Sequence, residues 1–138
     1  MKFYESEYEE ALIALLIEEG WDYTHGSKLY RTNREMLLID DLRSFLQEQY
    51  PELENEDITN IIDHLRHMGG QTHFAQLRST YRLLIEGYRY TRQSDGLAFD
   101  IAYINFDKVG SNRFRLVNQF EVGYGQGCDI RIPDVLLF

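Results

Sequence analysis

The sequence predicts an α+β fold in which four helices precede a β-hairpin and further strands. Up to Gly87, apolar residues recur at the spacing of an amphipathic helix, and capping and helix-ending residues separate four such segments. From Tyr88 onward, apolar and polar residues alternate, which is typical of half-buried strands. We therefore divide the chain into a helical half, residues 1–87, and a strand-rich half, residues 88–138.

The first two predicted helices each begin at a capping-box pattern. The first helix ends at Gly20, and a short alternating segment, residues 21–25, is a predicted strand. The second helix ends before Pro51, because a residue that precedes proline disfavours helical backbone. The two capping boxes are Ser6 with Glu9 and Thr32 with Glu35.

The third and fourth predicted helices are bounded by capping residues and glycines. Asn55 is the predicted N-cap of the third helix, which ends at Gly69 and Gly70. Thr72 is the predicted N-cap of the fourth helix, which ends at Gly87. Both helices carry apolar residues along one face.

Four strands are predicted in the second half of the chain. Asp95 and Gly96 form the dipeptide favoured in two-residue hairpin turns, so the first two strands should pair as a hairpin. The final strand is still apolar at Phe138, which predicts that the sequence is cut short. The four strands are residues 88–93, 97–106, 114–122 and 130–138.

Length and composition predict one folded domain. The chain has 138 residues, 43% hydrophobic and 27% charged, which is enough for a core and close to globular averages. Its single cysteine cannot form an internal disulfide, so we expect a reducing, cytoplasmic location. The apolar run at residues 11–17 is too short for a signal peptide or a membrane span, so we expect no membrane partner.

Charge is distributed unevenly along the chain. The formal net charge of -9 argues against nucleic-acid binding, which needs clustered lysine and arginine. However, residues 1–63 hold 16 acidic and 5 basic residues, whereas residues 64–138 hold 7 acidic and 9 basic residues. An acidic first half therefore precedes a mildly basic second half.

Asp134 is the residue that most strongly indicates a functional site, because it lies in the otherwise apolar predicted strand 130–138. Strand alternation places it on the covered side of that strand, where a carboxylate should be paired, protonated or bound to a cation. Pro133 indicates a sheet edge, a bulge or a strand start beside it. Two interpretations stay open: a metal ligand, or an aspartate satisfied by a loop amide.

Glu9 is the second candidate. Helical geometry directs it toward the centre of the apolar arc of the first helix, so its carboxylate should face the core side. The capping box with Ser6 would also explain this glutamate without a functional role.

A cluster of arginines and tyrosines is the third candidate. Such a cluster suits contact with the phosphate backbone and stacking on bases, but it is also typical of a solvated helix face. The residues are Arg78, Arg82, Arg89 and Arg92, interleaved with Tyr81, Tyr88 and Tyr90.

Two segments near the end of the chain are distinctive, VNQF at residues 117–120 and IPDVLLF at residues 132–138, and an earlier landmark is EMLLIDDLR at residues 35–43. Together these segments resemble the N-terminal nuclease region of type I restriction endonuclease R subunits. The resemblance spans the whole chain. It implies the front part of a PD-(D/E)xK nuclease fold, with a mixed sheet flanked by helices.

The resemblance also implies roles for the two acidic candidates. Pro133 and Asp134 match the first half of the nuclease motif, so Asp134 is implied as a catalytic ligand of Mg²⁺, and Glu9 matches a glutamate of the first helix that lies beside the metal. The acid-x-lysine half of the motif is absent from the sequence after Asp134. We therefore expect that residues 1–138 alone do not cleave DNA.

The full protein implied by the resemblance is the motor and cleavage subunit of a type I restriction system. It would translocate DNA with ATP, which binds outside this chain, and would work with modification and specificity subunits. Sequence recognition would lie in a partner, so contact with the DNA backbone would suffice here. The rival interpretation is a non-catalytic docking module in which Asp134 is structural, and a standalone small nuclease is a third.

Overall fold

A computed structural model describes residues 4–29, 31–32, 35–69, 71–124 and 129–138 of the chain. It confirms the α+β class. The chain forms two compact units, the first built from Met1–Leu38 with Arg113–Phe138 and the second from Ile39–Asn112. These units cut across the predicted boundary at residue 87, and the assignment of a single domain stays a prediction.

The helices and strands follow one another in an order close to the predicted one. Four α-helices and seven short strands lie in the described part of the chain. In chain order they are α1 (Glu5–Glu18), β1 (Asp22–His25), α2 (Ile39–Gln49), α3 (Asn55–Arg66), α4 (His73–Glu86), β2 (Tyr88–Thr91), β3 (Ala98–Ile101), β4 (Arg115–Asn118), β5 (Val122–Tyr124), β6 (Asp129–Arg131) and β7 (Val135–Leu137).

Side-chain caps set the starts of α3 and α4, and a glycine ends α4. The hydroxyl of Thr72 accepts the backbone N–H of Ala75 at 3.1 Å, as predicted, and α4 ends at Gly87, whose φ of 82° favours glycine. The N-cap of α3 is Glu54 and not the predicted Asn55, because Glu54 donates its backbone N–H to the carboxylate of Asp57 at 3.0 Å.

Both capping boxes predicted for the first two helices are wrong. The N-cap of α1 is Tyr4, whose backbone N–H donates to the carboxylate of Glu7 at 2.8 Å. The helix α2 begins only at Ile39, because Glu35 accepts the backbone N–H of Leu37 at 3.1 Å in a non-helical turn. The end of α2 at Gln49 agrees with the expected stop before proline.

The second unit contains α2, α3, α4 and the antiparallel hairpin of β2 and β3. The backbone N–H of Arg92 donates to the carbonyl of Leu97 at 2.8 Å, so the hairpin loop has four residues, 93–96, and the predicted two-residue turn is wrong. Gly96 adopts the positive φ, 71°, that the turn requires. The core of this unit contains Phe45, Leu46, Leu53, Ile58, Ile61, Ile62, Leu65, Leu83, Tyr90, Ile101 and Tyr103.

The first unit contains a three-stranded mixed sheet in the order β1-β4-β7. The central strand β4 is parallel to β1 and antiparallel to β7. Each of the last two predicted strands is split in two: β4 and β5 replace residues 114–122, and β6 and β7 replace residues 130–138. Leu116 and Val117 of β4, and Phe120 just after it, are fully buried, so the central strand and the turn that follows it carry the core of this unit.

None of the helices in the described part of the chain is long and apolar enough to cross a membrane.

Candidate functional site

The candidate site lies where the central strand β4 ends. Asn118, the last residue of β4, pairs with His25 of β1 on one side and with Val135 of β7 on the other. The next residue, Gln119, has a positive φ of 52°, which is uncommon for a residue with a side chain. Its backbone N–H donates to the carbonyl of Asp134 at 3.1 Å. The chain therefore bends sharply at the point where three strands meet.

Glu9 reaches this point from α1. Its carboxylate oxygen Oε1 accepts Nδ2 of Asn118 at 3.1 Å and Nε2 of Gln119 at 3.4 Å. Glu9 is half-buried, and it does not return to the Ser6 amide as the capping box would require. The prediction that its carboxylate faces the inner side of α1 is confirmed by these bonds.

Asp134 immediately precedes β7, and its side chain is exposed. The expectation that Asp134 is buried within a strand is wrong, because β7 begins only at Val135. The start of a strand after Pro133 agrees with one of the predicted alternatives. Because the carboxylate of Asp134 is exposed, it keeps its hydration, and its desolvation cost is small. It therefore does not require a paired cation or a hydrogen-bond donor.

Gln119 connects the two acidic candidates. Its side chain contacts Glu9, and its backbone contacts Asp134. Two acidic residues 125 positions apart in the sequence thus both contact Gln119, Glu9 through its carboxylate and Asp134 through its backbone carbonyl.

A groove of about 500 Å³ runs along the inner face of α1 beside Glu9. Its polar lining includes Glu9, Tyr23 and Asn118, and its apolar lining includes Ile13 and Ile17. The hydroxyl of Tyr23 donates to Oδ1 of Asn118 at 2.8 Å. Sequence reasoning singled out neither Tyr23 nor Asn118 as a site residue, and the available signal was an amide directly after the buried pair Leu116 and Val117.

A second cavity, of about 450 Å³, lies near Gln119 and includes Arg31 in its lining. The guanidinium of Arg31 sits 3.4 Å from the centre of the Phe120 ring and donates to the backbone carbonyls of Thr32, Glu35 and Glu121. Burial lowers the pKa of Arg31 from its ordinary value. This arginine is therefore used to hold the loop around Phe120.

The donor atoms of the two acidic residues are suitable for Mg²⁺. Carboxylate oxygens are its preferred protein ligands, and magnesium is usually held through one or two carboxylates with several waters and substrate phosphates. Within the described residues, no three His, Cys, Asp or Glu side chains are grouped closely enough to hold a metal by themselves. The carboxylates of Glu9 and Asp134 have the chemistry of ligands in an open magnesium site, where waters and phosphates supply the other ligands, and the described residues form no closed metal site.

The four candidate arginines, which all belong to the second unit, differ in their freedom to bind a ligand. Arg92 is held by Asp95 at 2.6 Å and lies 3.9 Å from Asp57, and its side chain is only 18% exposed. Hydrogen bonding to Asp95 raises the pKa of Arg92, and the same bond lowers the pKa of Asp95. Arg92 is thus part of the hairpin structure.

The other three arginines are exposed. Arg89 lies 3.4 Å from the carboxylate of Asp100, and Arg82 lies 3.8 Å from that of Glu86. Exposed ion pairs of this kind contribute little and exchange readily with other partners. Arg78 and Arg82 line a shared cleft of about 280 Å³.

Comparison with known proteins gives one consistent result. The family model of the type I restriction enzyme R protein N terminus matches residues 2–138. The chain is 24% identical, over 97% of its length, to the type I restriction enzyme HindI endonuclease subunit of Haemophilus influenzae. It is 28% identical, over 94% of its length, to a protein of Methanocaldococcus jannaschii named as a candidate type I restriction enzyme MjaIXP endonuclease subunit. No solved structure matches the chain significantly.

The chain therefore belongs to the family of type I restriction enzyme R protein N termini, as the sequence resemblance indicated. It spans 14% and 13% of the lengths of these two curated relatives.

Proposed function

We propose that this chain is the N-terminal nuclease region of a type I restriction enzyme R subunit and that Glu9 and Asp134 are catalytic ligands of Mg²⁺ in DNA phosphodiester cleavage. The observation that carries the proposal is the position of Gln119, which contacts Glu9 through its side chain and Asp134 through its backbone. The family match over residues 2–138 supports it.

In this proposal the two carboxylates have different roles. Glu9 offers a carboxylate whose orientation is fixed by two amide donors, whereas Asp134 offers an exposed carboxylate that DNA can approach. When bound, Mg²⁺ supplies charge that activates water and neutralises the scissile phosphate. Pro133 and Asp134 would be the first half of a PD-(D/E)xK motif, and an acid and a lysine from another segment would complete it.

DNA contact is proposed for the exposed arginines Arg78, Arg82 and Arg89. Each is solvent-accessible and lies in the more basic half of the sequence. Arg92, the fourth predicted DNA contact, is a poorer candidate because Asp95 already binds it. The proposal for the whole protein includes ATP-driven translocation and assembly with modification and specificity subunits.

The proposed function is tested by DNA cleavage with the complete gene product that contains residues 1–138, together with its partner subunits, ATP and Mg²⁺. We expect Asp134→Asn and Glu9→Gln to reduce the cleavage rate by at least about 100-fold while ATP hydrolysis continues, since only the cleavage site has lost a charge.

Matched controls are Asp107→Asn and Glu18→Gln, which remove an exposed aspartate in the second unit and an exposed glutamate at the end of α1. Both should cleave at the unmodified rate. Full cleavage by Asp134→Asn would refute the assignment of this residue.

The exposed face of α4 favours a second function, that of a non-catalytic docking module. Phe74, Leu77, Tyr81 and Ile85 recur at helical spacing and are 73%, 70%, 66% and 51% exposed. A row of exposed apolar side chains is typical of a surface that another protein covers.

The double variant Leu77→Glu, Tyr81→Glu separates this function from the nuclease. A docking module should lose co-purification with the modification and specificity subunits in this variant, and it should lose nothing in Asp134→Asn. A nuclease that does not dock through α4 should still co-purify with these subunits in the double variant, and it should lose DNA cleavage in Asp134→Asn.

A further inference from the structure

We propose that Asn118 is a positioning residue for Glu9 and that Tyr23 holds the Asn118 side chain in place. This inference rests on the proposed metal site and adds to it the residues that hold one ligand in place. The three side chains come from α1, β1 and β4, so the arrangement depends on the parallel pairing of β1 with β4.

The direction of each hydrogen bond is fixed by chemistry. An ionised carboxylate only accepts, so the NH₂ group of Asn118 must face Glu9, and their Nδ2–Oε1 distance is 3.1 Å. The amide oxygen then faces the other way and accepts the hydroxyl of Tyr23 at 2.8 Å. The flipped amide would turn its oxygen toward the carboxylate, so Glu9 sets the amide orientation, and the tyrosine hydroxyl holds the amide oxygen that results.

The bonds leave one oxygen of Glu9 available. Among the described residues, both donors to this carboxylate, Asn118 and Gln119, bind Oε1. The second oxygen, Oε2, has no partner in that part of the chain. A carboxylate held through one oxygen can present the other to a cation, and ligating carboxylates are commonly hydrogen-bonded in this way.

The location of Asn118 argues against a purely structural role. It ends a strand whose two preceding residues, Leu116 and Val117, are fully buried, and it is itself only 9% exposed. An apolar side chain would suit such a position, because a buried amide is costly unless both of its ends are paired. Here one end is paired with Tyr23 and the other with a charged residue at the rim of a groove.

The test measures the affinity of the purified 138-residue chain for Mn²⁺, used as a probe for Mg²⁺, by isothermal titration calorimetry. We expect Asn118→Leu to raise the Kd for Mn²⁺ by about 10-fold or more, which is the effect typical of losing a group that orients a ligand. Tyr23→Phe should raise the Kd by a smaller factor than Asn118→Leu does, because the amide is retained but loses the hydroxyl that holds it. Glu18→Gln, which neutralises an exposed carboxylate at the end of α1, is the control and should bind as the unmodified chain does.

Two outcomes overturn the inference in different ways. If Glu9→Gln weakens Mn²⁺ binding but Asn118→Leu and Tyr23→Phe do not, Glu9 is a ligand and Asn118 does not position it. If Glu9→Gln and Asp134→Asn both bind Mn²⁺ as the unmodified chain does, the proposed metal site fails and the inference fails with it. If Asn118→Leu does not fold, Tyr23→Phe decides alone, because it removes only a hydroxyl from a side chain that is 39% exposed.

Discussion

At the scale of single residues, Asp57 shows how the second unit tolerates a buried charge. Its carboxylate is 6% exposed and accepts the hydroxyl of Tyr90 at 2.7 Å and the backbone N–H of Glu54 at 3.0 Å. The guanidinium of Arg92 lies 3.9 Å away. A carboxylate supplied with donors in this way caps α3 and ties it to the β2–β3 hairpin, so removal of one donor should be costly.

We predict that Tyr90→Phe destabilises the chain by about 1–3 kcal/mol, because the buried carboxylate of Asp57 loses a donor that water cannot readily replace. Urea unfolding at neutral pH measures the change in the free energy of unfolding. Tyr81→Phe on the exposed face of α4 should change it little. A Tyr90→Phe variant as stable as the unmodified chain would show that the hydrogen bond contributes nothing.

The same tyrosine should give a pH signature. Burial, together with the bond to Asp57, raises the pKa of Tyr90 above its ordinary value. Its contribution to stability is therefore complete below about pH 10, the pKa of an unperturbed tyrosine, and is lost as pH rises through the raised pKa. Between pH 9 and 12 the unmodified chain should lose more stability than Tyr90→Phe, as measured by urea unfolding at each pH.

At the scale of elements, the site depends on the close approach of two loops. A Cβ atom at Gly26, directly after β1, would overlap the backbone carbonyls of Asn118 and Gln119 at the end of β4. These backbone atoms cannot move without separating β1 from β4. Glycine at position 26 is therefore required for the geometry that places Asn118 and Gln119 beside Glu9.

We predict that Gly26→Ala destabilises the chain by about 1–3 kcal/mol and weakens Mn²⁺ binding, because overpacking at this point displaces the end of β4. Gly110→Ala is the matched control, since a Cβ there meets nothing within 4 Å. Thermal unfolding and calorimetric titration measure the two effects. If Gly26→Ala and Gly110→Ala had the same stability and the same affinity for Mn²⁺, the role assigned to Gly26 would be contradicted.

The elements that local patterns define were predicted best. The Thr72 cap, the glycine that ends α4 and the strand at residues 21–25 were all confirmed, because each depends on residues a few positions apart. The two capping boxes failed although their spacing was correct. Glu9 makes its contacts with residues 118 and 119, and no local rule could show that these long-range bonds replace the capping bond to Ser6.

The pairing of strands could not be predicted from alternation alone. Parallel contact of β1 with β4 joins segments about 90 residues apart, and it creates the meeting point of Glu9, Asn118 and Gln119. Burial of Asp134 was predicted wrongly because one continuous strand was assumed, whereas β6 pairs with β5 and β7 belongs to the sheet of β1 and β4. The sequence thus identified the acidic candidates but missed the amides that lie beside them.

At the scale of the whole molecule, no lysine follows Asp134 in this chain. We predict that purified residues 1–138 do not nick supercoiled DNA with Mg²⁺, because the proposed PD-(D/E)xK site would also need the acid and the lysine of the second half of the motif. An agarose-gel assay measures nicking. Magnesium-dependent nicking that Asp134→Ala abolishes would contradict this prediction.

The central claim, that Glu9 and Asp134 form one metal site, is tested most directly by paramagnetic broadening in the ¹H–¹⁵N NMR spectrum of the 138-residue chain. Substoichiometric Mn²⁺ should broaden the backbone amides of Glu9, Gln119 and Val135 first, and Glu9→Gln with Asp134→Asn should abolish the effect. Equal broadening in the double variant, or broadening centred on residues of the second unit, would contradict the claim.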